Sequence, residues 1–110
     1  MSEPDSIVVV LSTLPDDDRA AAIARALVDD GVAACVNLVP GVRSIYRWEG
    51  AVADDREQLA IIKTTRERVD ALIARLRALH PYEVPEAVVV PVVGGHAPYL
   101  AWVAHAVAPR

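Results

Sequence analysis

Ile7 to Leu11 is an unbroken apolar run, Ile-Val-Val-Val-Leu, ended by Ser12-Thr13. Such a run, lacking polar alternation, predicts a strand buried on both faces. Pro15 and the aspartates after it, Asp16 to Asp18, predict a helix start. Proline suits a first turn, and carboxylates oppose the positive end of the helix dipole. Ile23, Ala24, Leu27 and Val28 recur at helical spacing, and Gly31 after Asp29-Asp30 fits a left-handed cap. From Val32 to about Trp48 the pattern predicts a second, long strand bent at Pro40-Gly41, where proline removes a ladder donor and glycine tolerates a bulge. Beyond the bend Val42, Ser44, Tyr46 and Trp48 alternate with Arg43, Ile45 and Arg47, and Glu49-Gly50 supports a hairpin turn. Glu57 to Thr64 reads as the returning strand.

Thr64 or Thr65 is a candidate cap for a second helix, with Glu67 near its first turn. Val69, Leu72, Ile73, Leu76 and Leu79 form its apolar stripe, and Arg66, Asp70, Arg75 and Arg77 its solvated side. His80-Pro81 ends it, because a residue before proline is disfavoured in the helical region. A fourth strand is predicted over Ala87 to Val93, broken by Gly94-Gly95, and a short helix from Pro98 to Val107. The order β-α-β-β-α-β with an additional C-terminal helix predicts an α+β, ferredoxin-like domain: a four-stranded antiparallel sheet with two helices on one face. Residues 1–6 read as a flexible leader and residues 7–110 as a single domain. The apolar strands leave the second face of the sheet to be covered, and symmetric association is expected to cover it.

With 110 residues the chain can form one core and not two. Hydrophobic residues make up 54% and Phe is absent, so the core must be built from Val, Leu, Ile and Ala. Each buries less area than an aromatic ring, and part of the apolar content is expected between subunits. A net charge of −4 with one lysine, Lys63, provides no basic stripe and speaks against nucleic acid. No apolar run approaches the roughly 18 residues that span a membrane. The acidic start lacks the basic region of a signal peptide, and a lone cysteine suits a reducing compartment, so a cytoplasmic location is expected.

Cys35, flanked by Ala33, Ala34 and Val36 without a nearby base or cation, reads as a small buried hydrophobe. The segment His80-Pro81-Tyr82-Glu83-Val84-Pro85-Glu86 is denser in polar chemistry. His80, Glu83 and Glu86 offer one nitrogen and two carboxylates to a divalent cation, a set suited to Zn, Cu or Ni. The plainer reading has His80 capping the second helix, Tyr82 packing, and the prolines fixing an extended lead-in. His96 and His105 read as solvated or interfacial. No nucleophile elbow surrounds Ser12 or Ser44 and no Gly-rich loop precedes a helix, so no catalytic grouping is predicted. Arg43 and Arg47, alternating with Tyr46 and Trp48, suit either an anion or the edge of a homo-oligomer.

Several of these segments together resemble the CutA family of divalent-cation tolerance proteins. They are Ala33 to Gly41, Ser44 to Gly50, Ile62-Lys63-Thr64, His80 to Glu86 and Tyr99-Leu100-Ala101-Trp102, in order along Val8 to Val103. The resemblance implies a ferredoxin-like subunit in a compact homotrimer, similar in shape to the PII signalling proteins. It implies no enzymatic activity, a link to tolerance of copper and other divalent ions, and, in animal relatives, anchoring of acetylcholinesterase. Copper in some bacterial relatives is held by a cysteine ending the first strand, by the His-Pro-Tyr region and by the glutamate of the Pro-Glu pair. Here those positions are Ser12, His80 and Glu86. Without a thiolate at position 12 the ligand best suited to Cu(I) is missing. His80 and Glu86 remain as the expected ligands for Cu2+ or another divalent cation, which the fold itself does not require. The implied trimer places Tyr46, Trp48 and Trp102 near subunit contacts. Two further readings stay open: a PII-like sensor holding a small anion between subunits through Lys63, Arg43 and Arg47, and a stable structural or anchoring scaffold.

Overall fold

The computed structural model describes residues 6–109. Strand β1 (Ile7–Pro15) leads to helix α1 (Asp18–Asp29), and β2 (Cys35–Trp48) and β3 (Ala51–Thr65) form a long hairpin. A 3-10 turn over Arg66–Arg68 opens helix α2 (Val69–Leu79), followed by β4 (Val88–Pro91) and α3 (Ala97–Ala106). All strand pairs are antiparallel and the sheet order is β2-β3-β1-β4, the ferredoxin-like arrangement expected from the element order. The leader expected over residues 1–6 lies outside the described residues except for Ser6, whose carbonyl accepts the Arg66 N–H at 2.9 Å.

The main core lies between one sheet face and the first two helices. Val8, Val10, Leu14, Ala60 and Ile62 point from the sheet toward Ile23, Leu27, Leu72 and Leu76, all buried. Helix α1 is closed at both ends by its own sequence. The Asp17 carboxylate accepts the Arg19 N–H at 2.9 Å. Its hydrogen bonds with Arg19 hold its pKa down at about 2. At the other end Gly31, at φ 75°, lets the Val32 N–H reach Leu27 O and its own N–H reach Val28 O, which is the Schellman pattern.

Helix α3 packs on the opposite face, where Val103 and Val107 cover Ile7 and Ala34. It closes only one end of that face. Val9, Leu11 and Ile61 remain half-buried, and Val39, Val88 and Val90 are exposed. The face expected to be left apolar is therefore largely open in a single subunit.

Several boundaries differ from the sequence reading, and β2 begins at Cys35, not Val32. Strand β1 continues past Ser12-Thr13 to Pro15, which ends the strand and does not open the helix. Pairing with β4 stops at Leu11, so Pro15 stands where β1 has one open side and a missing donor is tolerated. Strand β3 begins at Ala51, six residues before the predicted start at Glu57. Between them the strand is too solvated to show an apolar period. Strand β4 is shorter than predicted and stops at Pro91. Thr65 precedes the 3-10 turn without a side-chain cap bond, while the Thr64 hydroxyl donates to Val32 O at 2.8 Å.

Candidate functional site

The bend in β2 shapes the region that carries the chemistry. Pairing slips between Val39 and Val42, with Gly41 at φ 72°. The slip exchanges the faces of the strand. Before it Cys35, Asn37 and Val39 pair with Lys63, Ile61 and Leu59; after it Val42, Ser44 and Tyr46 pair with Glu57, Asp55 and Ala53. Because β1 ends at the Pro15–Glu57 pair, the hairpin continues from there as a two-stranded ribbon, and the molecule is elongated to 46 × 25 × 22 Å. The tip is a two-residue turn in which Glu49 and Gly50 have φ 51° and 82°.

Against the root of this ribbon lies the segment after α2. Pro81 forces His80 out of the helix into extended backbone, ψ 135°. The His80 ring is buried, its Nε2 lies 2.7 Å from Thr13 O, and its Nδ1 accepts the Tyr82 N–H at 3.1 Å. Because Nδ1 accepts and Thr13 O can only accept, Nε2 carries the proton and donates. The ring also packs on Tyr82, with centroids 4.4 Å apart. The Tyr82 hydroxyl donates to Glu57 Oε2 at 2.8 Å. Burial, reinforced by that carboxylate, pushes the Tyr82 pKa well up. The Tyr46 hydroxyl donates to Asp55 Oδ2 at 2.5 Å, which raises its pKa too.

Beside them lies a cleft of about 710 Å³, lined among others by Tyr46, Trp48, Glu57, Tyr82 and Glu86. Asp55 and Glu83 complete a set of four carboxylates, and among the described residues no Lys, Arg or His lines it. Burial, followed by the charge of Glu57, raises the Glu86 pKa.

Glu86 faces the cleft as a cation ligand would, whereas both His80 nitrogens are bonded within the chain. Ser12 is fully enclosed and lies on the core side of β1, between Val10 and Leu14; its neighbour Thr13 lines the cleft. A ligand set joining positions 12, 80 and 86 is therefore not assembled. Among the described residues no three His, Cys, Asp or Glu side chains converge to hold a metal ion. Cys35 is partly buried and Tyr99 stands beside it, which contributes to a raised Tyr99 pKa after burial.

Two of the three groups suggested for an anion, Arg43 and Lys63, have partners within the chain, while Arg47 makes no side-chain bond among the described residues. Arg43 makes a two-pronged pair with Asp54 at 2.9 and 2.7 Å, and Lys63 donates to Asn37. Tyr46 and Trp48 lie on the ribbon; Trp102 lies on α3, stacked on Tyr99 at 5.6 Å. All three are 40–49% exposed. Glu57 escaped the sequence reading, since only the β1–β3 register places it opposite Pro15, and only the fold brings Tyr82 to it.

The family model for the CutA1 divalent ion tolerance protein matches residues 8–106. The divalent-cation tolerance protein CutA of Thermus thermophilus is 51% identical over 86% of this chain and 91% of its own length. The chain spans about half the length of the animal and plant relatives it matches. Among solved structures, CutA of Xylella fastidiosa superposes with a TM-score of 0.90 at 42% identity, covering 93% of this chain and 98% of that one. The PII-like protein CutA of a Nostoc species does so with a TM-score of 0.85 at 36% identity, covering 91% and 96%. Matched along nearly its whole length in sequence and in fold, the chain belongs to the CutA family of divalent-cation tolerance proteins.

Proposed function

We propose that this chain is a non-enzymatic, homotrimeric tolerance protein whose cleft receives cations, Cu2+ or another divalent ion among them. One observation carries the reading: among the described residues Glu57 and Glu86 share a cleft without a basic side chain, and burial together with the Glu57 charge makes the Glu86 charge less favourable. A cation between them relieves that repulsion. Carboxylates alone favour hard, hydrated ions, so weak divalent binding through Glu86 fits better than a tight copper chelate. His80 joins as a ligand only if its bond to Thr13 or to Tyr82 opens. A compartment that keeps Cys35 reduced, as the cytoplasm does, suits the free thiol. Calorimetry of tag-free protein with Cu2+ and Mg2+ tests the metal part. Weak saturable binding is expected, reduced in a His80→Ala, Glu86→Ala double variant. Unchanged binding in that variant removes both residues as ligands.

The anion-sensor reading is the weaker one. Of its three groups Arg43 is paired with Asp54 and Lys63 bonds Asn37, and the cleft is acidic.

A further inference from the structure

Glu57 is a nearly buried carboxylate without a counter-charge among the described residues. Its exposure is 4%, so water screens its charge little. One oxygen accepts the Tyr82 hydroxyl. No second hydrogen bond and no ion pair engages Glu57 among the described residues, and the residue lines the cleft. The nearby Asp55, Glu83 and Glu86 add charge of the same sign. Deeply placed carboxylates are ordinarily paired, so the site has the electrostatics of one that takes a positive guest.

The walls determine which guest. Trp48, Tyr46 and Tyr82 are aromatic, and Val84 and Ile45 are apolar. A hydrated metal ion gains little from such walls. An organic ammonium or guanidinium group gains from both features, through the carboxylate and through cation–π attraction. The cleft, about 710 Å³, also falls in the size range of small-molecule sites, about 300–1,000 Å³. We infer that the cleft binds a small organic cation, an alkylammonium or guanidinium compound, with its charge on Glu57 and its stem against Trp48. This rests on the reading of the cleft as a cation site and names the cation class it prefers.

Titration calorimetry of the intact chain with tetramethylammonium, putrescine and agmatine chlorides at low ionic strength tests it, with Mg2+ and Cu2+ as the other arm. Saturable binding of at least one amine is expected, at least about tenfold tighter than Mg2+. Glu57→Gln keeps the shape and an acceptor for Tyr82, and is expected to weaken amine binding about tenfold or more. Trp48→Ala is expected to weaken it about threefold. If circular dichroism shows that Glu57→Gln does not fold, Trp48→Ala and Glu86→Gln decide the matter in the same way. Divalent binding without amine binding overturns this inference and leaves the functional reading standing; absence of both overturns both. If no amine binds and Glu57→Gln converts an oligomer to monomer, the missing cation belongs to a second copy, and binding of a free ligand is overturned.

Discussion

Ser12 carries a hydroxyl with no hydrogen-bond partner in a position closed to solvent. Protein mutational data put the cost of an unpaired buried hydroxyl at about 1–3 kcal/mol. Ser12→Ala leaves little void and is expected to stabilise the fold by about 1 kcal/mol. Urea melts should show a raised midpoint at unchanged slope; a lowered midpoint would mean that the hydroxyl is satisfied. Glu86 presents the converse case. Burial and Glu57 raise its folded pKa above the ordinary value of 4.5, so the fold penalises the ionised form. Stability is therefore lost as pH climbs from that ordinary value through the folded one. Glu86→Gln is expected to melt higher than the parent at pH 7, with the gap closing toward pH 4. A gap independent of pH would exclude charge as the cause. The polar segment that holds Glu86 was legible in the sequence, because His80 to Glu86 gathers a histidine, a tyrosine and two glutamates around two prolines. The role of His80 was only half legible. Its place at the end of α2 follows from Pro81, but its ring is bonded by a carbonyl 67 residues away in the chain.

Element boundaries failed where solvent, and not the core, surrounds a strand. The ribbon residues Asp54, Asp55 and Arg56 are exposed, so no hydrophobic period marks them as β3. The turn and the bulge, in contrast, rest on backbone chemistry that glycine announces. Gly50 and Gly41 both have positive φ, and both were placed correctly from the sequence. Glu49 is the exception within that turn. At φ 51° it holds a left-handed conformation that its side chain disfavours. Asn is the residue best suited to this first turn position. Glu49→Asn is expected to stabilise the hairpin by about 0.5–1 kcal/mol, read as slower amide exchange in Ile45 to Asp54 and a higher melting temperature. Unchanged exchange would mean that the tip is not what limits hairpin opening.

For the whole molecule, the ribbon poses the largest physical problem. Two strands unsupported by a third are marginal in water, yet this pair runs on past the end of β1. Apolar side chains stand out on both of its faces, Ile45 and Val52 on one and Tyr46 and Trp48 on the other. Val88 and Val90 add an uncovered strip at the far edge of the sheet. A symmetric assembly that clasps each ribbon between neighbours covers Val52 on its outer face and the strip of Val88 and Val90 at once. Light scattering coupled to size exclusion is accordingly expected to give three times the 11.8 kDa subunit mass at micromolar concentration. Trp102→Ala removes an exposed ring from α3 without touching the main core. If that ring is an interface anchor, truncation costs about 2 kcal/mol or more, about thirtyfold in dissociation constant, and the mass should fall on dilution while the far-ultraviolet spectrum is kept. A variant as stable to dilution as the parent would release Trp102 from the interface, and a monomeric parent would remove the assembly itself.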